Sequence, residues 1–177
     1  EVRQFKVGDP QDEKTYIGAI TRAPQLAVLK RQVTDATRKG AHLLAGGDVI
    51  KRRGNWFAPT VLTNVDHSMA LMRDESFGPI IGIARVKDDA EAIRQMNDSE
   101  YGLTAGVYTP DGKRARRILD QVAAGSVYWN CCDRVSPRLP WSGFKHSWIG
   151  LTLSTYGIET LTRSKALHLR GAWACAA

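Results

Sequence analysis

The 177-residue chain has only three cysteines and no paired Cys or His ligands at short spacing from two places. So few thiols, odd in number, give no disulfide framework, and reduced thiols in a cytoplasmic setting are expected. Structural zinc is not expected: Cys131 and Cys132 are adjacent, but Cys175 and the four histidines are scattered. The longest apolar run lies near Ile80 to Ile83, far short of the roughly 20 residues a spanning helix needs, so no membrane partner is expected. Internal repeats, low-complexity stretches, a basic and apolar leader and an initiator Met are also missing. The first residues therefore read as mid-protein. Neither a P-loop Lys-Ser/Thr nor the dinucleotide-binding glycine spacing occurs, so Gly46-Gly47 reads as a turn and not as a phosphate loop.

What is present is a composition of 43% hydrophobic and 24% charged residues, enough apolar material for one globular unit with a buried core. The net charge of +7 gathers at Lys51-Arg52-Arg53 and Lys113-Arg114-Ala115-Arg116-Arg117. The second run backs onto Ile118, Leu119 and Val122 at helical spacing, which makes it the wet side of an amphipathic helix. No aromatic stacking pattern or known binding module accompanies the charge, so nucleic acid is not an expected partner.

Along the chain, a polar loop with turn residues Gly8, Asp9 and Pro10 leads to a helix. Pro24 suits its first turn, Leu26, Leu29, Val33 and Ala36 recur at three and four residues, and Gly40 is placed as a left-handed stop. His42 to Ala45 reads as a short strand, and Trp56-Phe57 through Val61-Leu62 as an extended segment broken by Pro59. Then Ile80 to Val86 reads as a strand, and Asp88 with Glu91 three residues on as a capping box opening a helix that Asn97 ends. Thr104 to Tyr108 is a second strand, Thr109-Pro110 starts a second helix, and Gly125 stops it before the strand Ser126 to Trp129. This β-α-β-α-β order places the chain in the α/β class and predicts three parallel strands in one sheet. Leu161 to Arg170 reads as a closing strand, with poor alternation.

"YWNCCDRVSPRLPW", Tyr128 to Trp141, starts at the C-terminal end of a strand, the edge where open α/β sheets bind ligands. A nucleophilic Cys131 or Cys132 would need a helix N-terminus, a His or a cation beside it. None is adjacent to Cys131, and Asp133 opposes a thiolate by like charge, with Arg134 as an offset. A packed thiol is the competing reading. A thiol hydrolase pairing either Cys with His146 rests only on their proximity in sequence.

Six segments, "FKVGDP", "GNWFAPTVL", "MRDESFGPI", "MNDSEYGLTAGVYT", "AGSVYWNC" and "PWSGFK", occur in the order and spacing of the C-terminal half of aldehyde dehydrogenases. The chain resembles that superfamily over nearly its whole length. The resemblance implies an aldehyde dehydrogenase-like fold, mainly parallel sheet flanked by helices, of which residues 1–158 form a partial catalytic domain. Residues 159–177 would be a C-terminal oligomerisation strand and tail, joining a homodimer or tetramer. It implies NAD or NADP as cofactor and an aldehyde as substrate, oxidised to the acid through a cysteine thiohemiacetal and thioester. The catalytic Cys, the Glu base and the oxyanion Asn belong to family segments upstream of Glu1, so no catalytic residue is assigned in this chain.

By the same resemblance Glu75 takes the hydroxyls of the nicotinamide ribose, which a carboxylate can accept as a pair, and Phe77 walls the nicotinamide, with Gly78 and Pro79 fixing the turn. Asn130 is structural support for the active-site loop. Cys131, Cys132, Asp133, Val135 and Trp141 fall in the aldehyde pocket. The sequence departs from the family at "HSWIGLT", where Trp148, Leu151 and Thr152 replace a Gly, an Arg and a Glu near the subunit contact and cofactor face. An alternative is a non-catalytic interaction protein of the same descent, pairing with a full-length subunit.

Overall fold

Helix α1, Ala23–Arg38, starts with Pro24 in its first turn and ends where Gly40 takes φ +98°, the left-handed region that a glycine enters without steric cost. Its face of Leu29, Gln32, Val33 and Ala36 is buried. In the computed structural model, which describes residues 1–132 and 134–170, this helix belongs to the first of two compact units, Glu1–Ser99 and Glu100–Ala177.

The first unit holds a three-stranded sheet in the order β1 (His42–Ala45), β2 (Thr60–Thr63), β3 (Ile80–Ile83). The β1–β2 pair is antiparallel with a bulge between Leu43 and Ala45, and β2–β3 is parallel, with Thr60 opposite Ile80 and Thr63 opposite Ile83. A four-residue helix α2, Ala70–Arg73, packs beside β3. Leu29, Val33 and Ala36 join Phe57, Leu62, Val65, Met69 and Leu71 in one core, with Ile80 packed against it. Gly82 carries no side chain for a reason of space. A Cβ there would lie 2.7 Å from the Met72 sulfur and 3.2 Å from Leu71 and Val65. The other face of β3 shows Ile81 and Ile83, each about half exposed. One polar side chain breaks the apolar pattern: Gln32 is 2% exposed and its amide atoms have no partner among the described residues. We have no physical account of it.

Helix α3, Asp89–Asn97, closes the first unit with the Asp88 cap read from the sequence, while the Glu91 side chain reaches back to the Lys87 amide in place of the Asp88 amide. The Glu91 amide donates to Asp88 Oδ1 at 2.8 Å, and the Lys87 amide donates to Glu91 Oε2 at 2.9 Å.

In the second unit β5 (Thr104–Val107) and β6 (Ser126–Trp129) pair in parallel, and β4 (Tyr101–Gly102) pairs antiparallel with β7 (Phe144–Lys145). Helix α4, Gly112–Leu119, crosses between β5 and β6, and α5, Ser154–Glu159, follows the loops. Four expectations need correction here. The strand at Ile80 pairs in parallel with β2 and is not in a sheet with the other two. The strand itself ends at Ile83, short of Val86. Helix α4 starts at Gly112, because Asp111 accepts from the amides of Lys113 and Arg114 and so makes a stronger cap than Thr109-Pro110. No strand spans 161–170; those residues carry only a turn at their start. No helix among the described residues is long and apolar enough to cross a membrane.

An acid-sensitive joint ties α1 to α2. Asp35 accepts from the Ala70 amide at 2.9 Å and pairs with Lys39 at 2.9 Å, while Lys39 also donates to the Ser68 carbonyl. These donors, the Ala70 N–H first, hold the Asp35 carboxyl below the usual carboxylate value. A group depressed on folding stabilises the fold above its unfolded value and loses that contribution as pH falls through its folded value. Stability of the first unit should therefore decline below the ordinary carboxylate range, and Asp35→Asn should flatten that decline in urea titrations across pH.

Candidate functional site

The turn between α2 and β3 carries the first group of candidate residues. Gly78 lets its backbone lie directly on Leu29: a Cβ there would be 2.6 Å from the nearer Leu29 methyl. The Pro79 carbonyl accepts from the Thr60 amide at 2.8 Å, and the Gly78 carbonyl from the Ile80 amide at 2.8 Å. The Gln25 side chain on α1 donates to the Ser76 carbonyl. Clamped at these points, the turn turns Glu75 and Phe77 outward. Phe77 sits at φ +47°, a conformation costing a side-chain-bearing residue about 1–2 kcal/mol, and its ring is 77% exposed.

Glu75 and Phe77 line a cleft of about 550 Å³ together with Ala19, Ile20, Thr21, Arg22 and Gln25. The Glu75 carboxylate is exposed and has no hydrogen bond or ion pair among the described residues. An unpaired carboxylate beside an open aromatic face suits a ligand that offers hydroxyl donors next to a flat ring. Sequence reasoning missed Arg22 and Gln25. Their only local signal was their place at the start of α1, and the cleft is made by contacts far apart in the chain.

The second group lies at the end of β6, in the second unit. Asn130 takes φ +54°, which turns the chain out of the β5–β6 ladder, and its amide N–H still donates to the Val107 carbonyl at 2.9 Å. Its side chain grips one residue from both sides: Oδ1 accepts from the Thr109 amide at 2.9 Å and Nδ2 donates to the Thr109 carbonyl at 3.0 Å. The Trp129 indole N–H donates to the same carbonyl at 2.9 Å. Its ring lies where a Cβ on Gly112 would be, 2.8 Å away. Asn130 thus locks the end of β6 to the turn before α4, a geometric and not a chemical role.

Beyond that lock, Cys131 is half-buried and Cys132 exposed, both as free thiols. Val135 is 58% exposed. Asp133 lies outside the described residues. Trp141 is half-buried, its amide and carbonyl paired with Thr152 at 2.8 and 3.0 Å. Gly125 permits this return of the chain, since a Cβ there would overlap the Ser142 carbonyl at 1.8 Å. His146 pairs with Glu100, its amide donating to the Glu100 carbonyl at 3.0 Å and its Nδ1 lying 3.8 Å from the carboxylate. Among the described residues no hydrogen bond joins His146 to either thiol, which leaves the thiol-hydrolase reading without support. No group of three or more potential metal ligands occurs among them either.

Comparison with known proteins gives this geometry its context. The model of the aldehyde dehydrogenase family matches residues 1–167. An aldehyde dehydrogenase-like protein of Schizosaccharomyces pombe is 37% identical over 172 residues, covering 96% of this chain and 34% of that protein. Betaine aldehyde dehydrogenase from Staphylococcus aureus, solved in complex with NAD+, superposes with a TM-score of 0.84 at 32% identity, covering 90% of this chain and 32% of that one. An NADP-dependent enzyme of Escherichia coli superposes with a TM-score of 0.85 at 34% identity, covering 89% and 33%. The chain thus spans about a third of the length of these relatives, and its mixed α/β fold is a partial version of theirs. On a family match over nearly its whole length and a shared fold at these identities, the chain belongs to the aldehyde dehydrogenase family.

Proposed function

We propose that this chain is the C-terminal part of an NAD(P)+-dependent aldehyde dehydrogenase, supplying the ribose-binding carboxylate and a wall of the aldehyde pocket. The observation that carries this reading is the exposed, unpaired Glu75 beside Phe77 at the rim of the cleft. The residues present fit one end of the dinucleotide. Glu75 accepts from the paired ribose hydroxyls, and Phe77 offers the nicotinamide an apolar face that excludes water. The dinucleotide, when bound, is the acceptor of the aldehyde hydride. No glycine-rich phosphate loop lines the cleft, and this reading assigns the pyrophosphate and adenine to other family segments.

In the second unit this reading assigns Cys131, Cys132, Val135 and Trp141 to the pocket wall, with Asn130 holding its start and Asp133 lying outside the described residues. Such a wall selects aldehydes by shape, with about 1–3 kcal/mol for each methylene of misfit. The attacking Cys, the Glu base and the oxyanion Asn are assigned to upstream family segments. The same reading gives residues 159–177, of which 171–177 lie outside the described residues, to contact with a second copy of the protein, in keeping with Leu161, Leu167 and Leu169, each at least 72% exposed. The purified 177-residue chain should reduce neither NAD+ nor NADP+ with a panel of aliphatic and aromatic aldehydes. Sustained, aldehyde-dependent absorbance of the reduced cofactor would refute this division of labour.

A further inference from the structure

We propose that Cys131 and Cys132 together form a two-thiol capture site for a soft electrophile of the monosubstituted trivalent-arsenical class. This assignment does not depend on the dehydrogenase reading. The left-handed Asn130 ends the β6 ladder, so the two cysteines lie beyond it with no strand hydrogen bonds to fix their side chains on opposite faces. The two hydrogen bonds of Asn130 to Thr109 anchor the base of the pair, while both thiols are free, on an exposed Cys132 and a half-buried Cys131.

Three chemistries compete for adjacent thiols, and geometry separates them. A disulfide between neighbours is strained, because consecutive Cα atoms sit about 3.8 Å apart whereas disulfides span about 4.4–6.8 Å. A zinc ion wants four ligands, and no group of three or more potential ligands exists among the described residues. A bridging arsenic atom needs only two sulfurs, which are soft donors suited to it. It also adds an atom to the ring, which relieves the strain.

The reaction balances without an oxidant. An organoarsenic(III) oxide, R–As=O, forms two As–S bonds with the two thiols; the As=O bond breaks, and both thiol protons leave with the oxygen as one water. Arsenic stays trivalent. The second As–S bond closes within the chain, so the adduct should outlast a single thiol adduct by about 100-fold or more under competition.

The test adds phenylarsine oxide to the full chain, challenges with excess 2-mercaptoethanol and reads intact mass, followed by peptide mapping. One phenylarsenic per chain is expected on the peptide holding Cys131 and Cys132, stable to the monothiol and released by 2,3-dimercaptopropanol. Cys132→Ser, at an exposed position that leaves packing unchanged, should lower retention about 100-fold or more, and Cys131→Ser should do the same. Cys175→Ser should have no effect. Retention undiminished in Cys132→Ser, or lost in Cys175→Ser, would overturn the proposal.

Discussion

Leu29→Ala is expected to destabilise the first unit by about 2–5 kcal/mol, the range for emptying a leucine site in a packed core. Leu29 is fully buried and has Gly78 of the Glu75–Pro79 turn directly against its methyl groups. The cavity therefore opens beneath the turn that presents Glu75 and Phe77, and the loss should reach the site as well as the core. Gly78→Ala pushes a methyl into the same space and should cost about 1–3 kcal/mol by overpacking. In the double variant the added methyl enters the vacated volume, so the two costs should fall short of their sum, by about 0.5–3 kcal/mol. Native-state hydrogen exchange in urea, read at the amides of β2 in this unit, measures the stability. Exchange protection of the Ile80 amide, bonded to Gly78, reports the turn. Simple additivity would place Leu29 and Gly78 in separate environments, contrary to this packing.

Asn130→Ala should cost the second unit about 2–4 kcal/mol. Two side-chain hydrogen bonds to Thr109 are lost, each worth about 0.5–1.5 kcal/mol, and alanine must hold a left-handed backbone at about 1 kcal/mol or more. Asn130→Gly separates the two effects, because glycine keeps φ +54° without strain and loses only the bonds. It should fall between wild type and alanine. Trp129, Trp141 and Trp148 all lie in the second unit, so their fluorescence follows its unfolding. An Asn130→Ala variant as stable as wild type would mean that the lock on Thr109 does not hold the end of β6.

How far the sequence spoke depends on the range of the interaction involved. Local chemistry was legible: the Asp88 cap, Pro24 and Gly40 around α1, and the bounds of β6 are all set within a turn or two of chain. Pairing was not. β4 and β7, two residues each, find one another across β5, α4 and β6, and β3 chose β2 as its parallel neighbour. Neither choice leaves a mark on periodicity. In the site, Glu75 and Phe77 could be named from a motif, but their cleft exists only because the segment from Ala19 to Gln25 returns to them. Likewise Asn130 could be named, while its partner Thr109 lies 21 residues earlier and had been read as a helix start. The Cys131–Cys132 pair carries no activating neighbour in sequence, and its surroundings hold no base bonded to either thiol among the described residues.

The central claim is that Glu75 is the ribose carboxylate of an aldehyde dehydrogenase cofactor site, and ligand-detected NMR tests it most directly. Saturation-transfer spectra of nicotinamide mononucleotide should be recorded with the wild-type chain and with Glu75→Gln. The amide keeps the size of the side chain but removes the charge that strengthens hydrogen bonds from the hydroxyls, a difference of about 1–1.5 kcal/mol per bond. The account predicts weak binding with transfer to the ribose and nicotinamide protons, reduced on the order of 10-fold or more in Glu75→Gln. Equal transfer in both proteins, or none in the wild type, would contradict it.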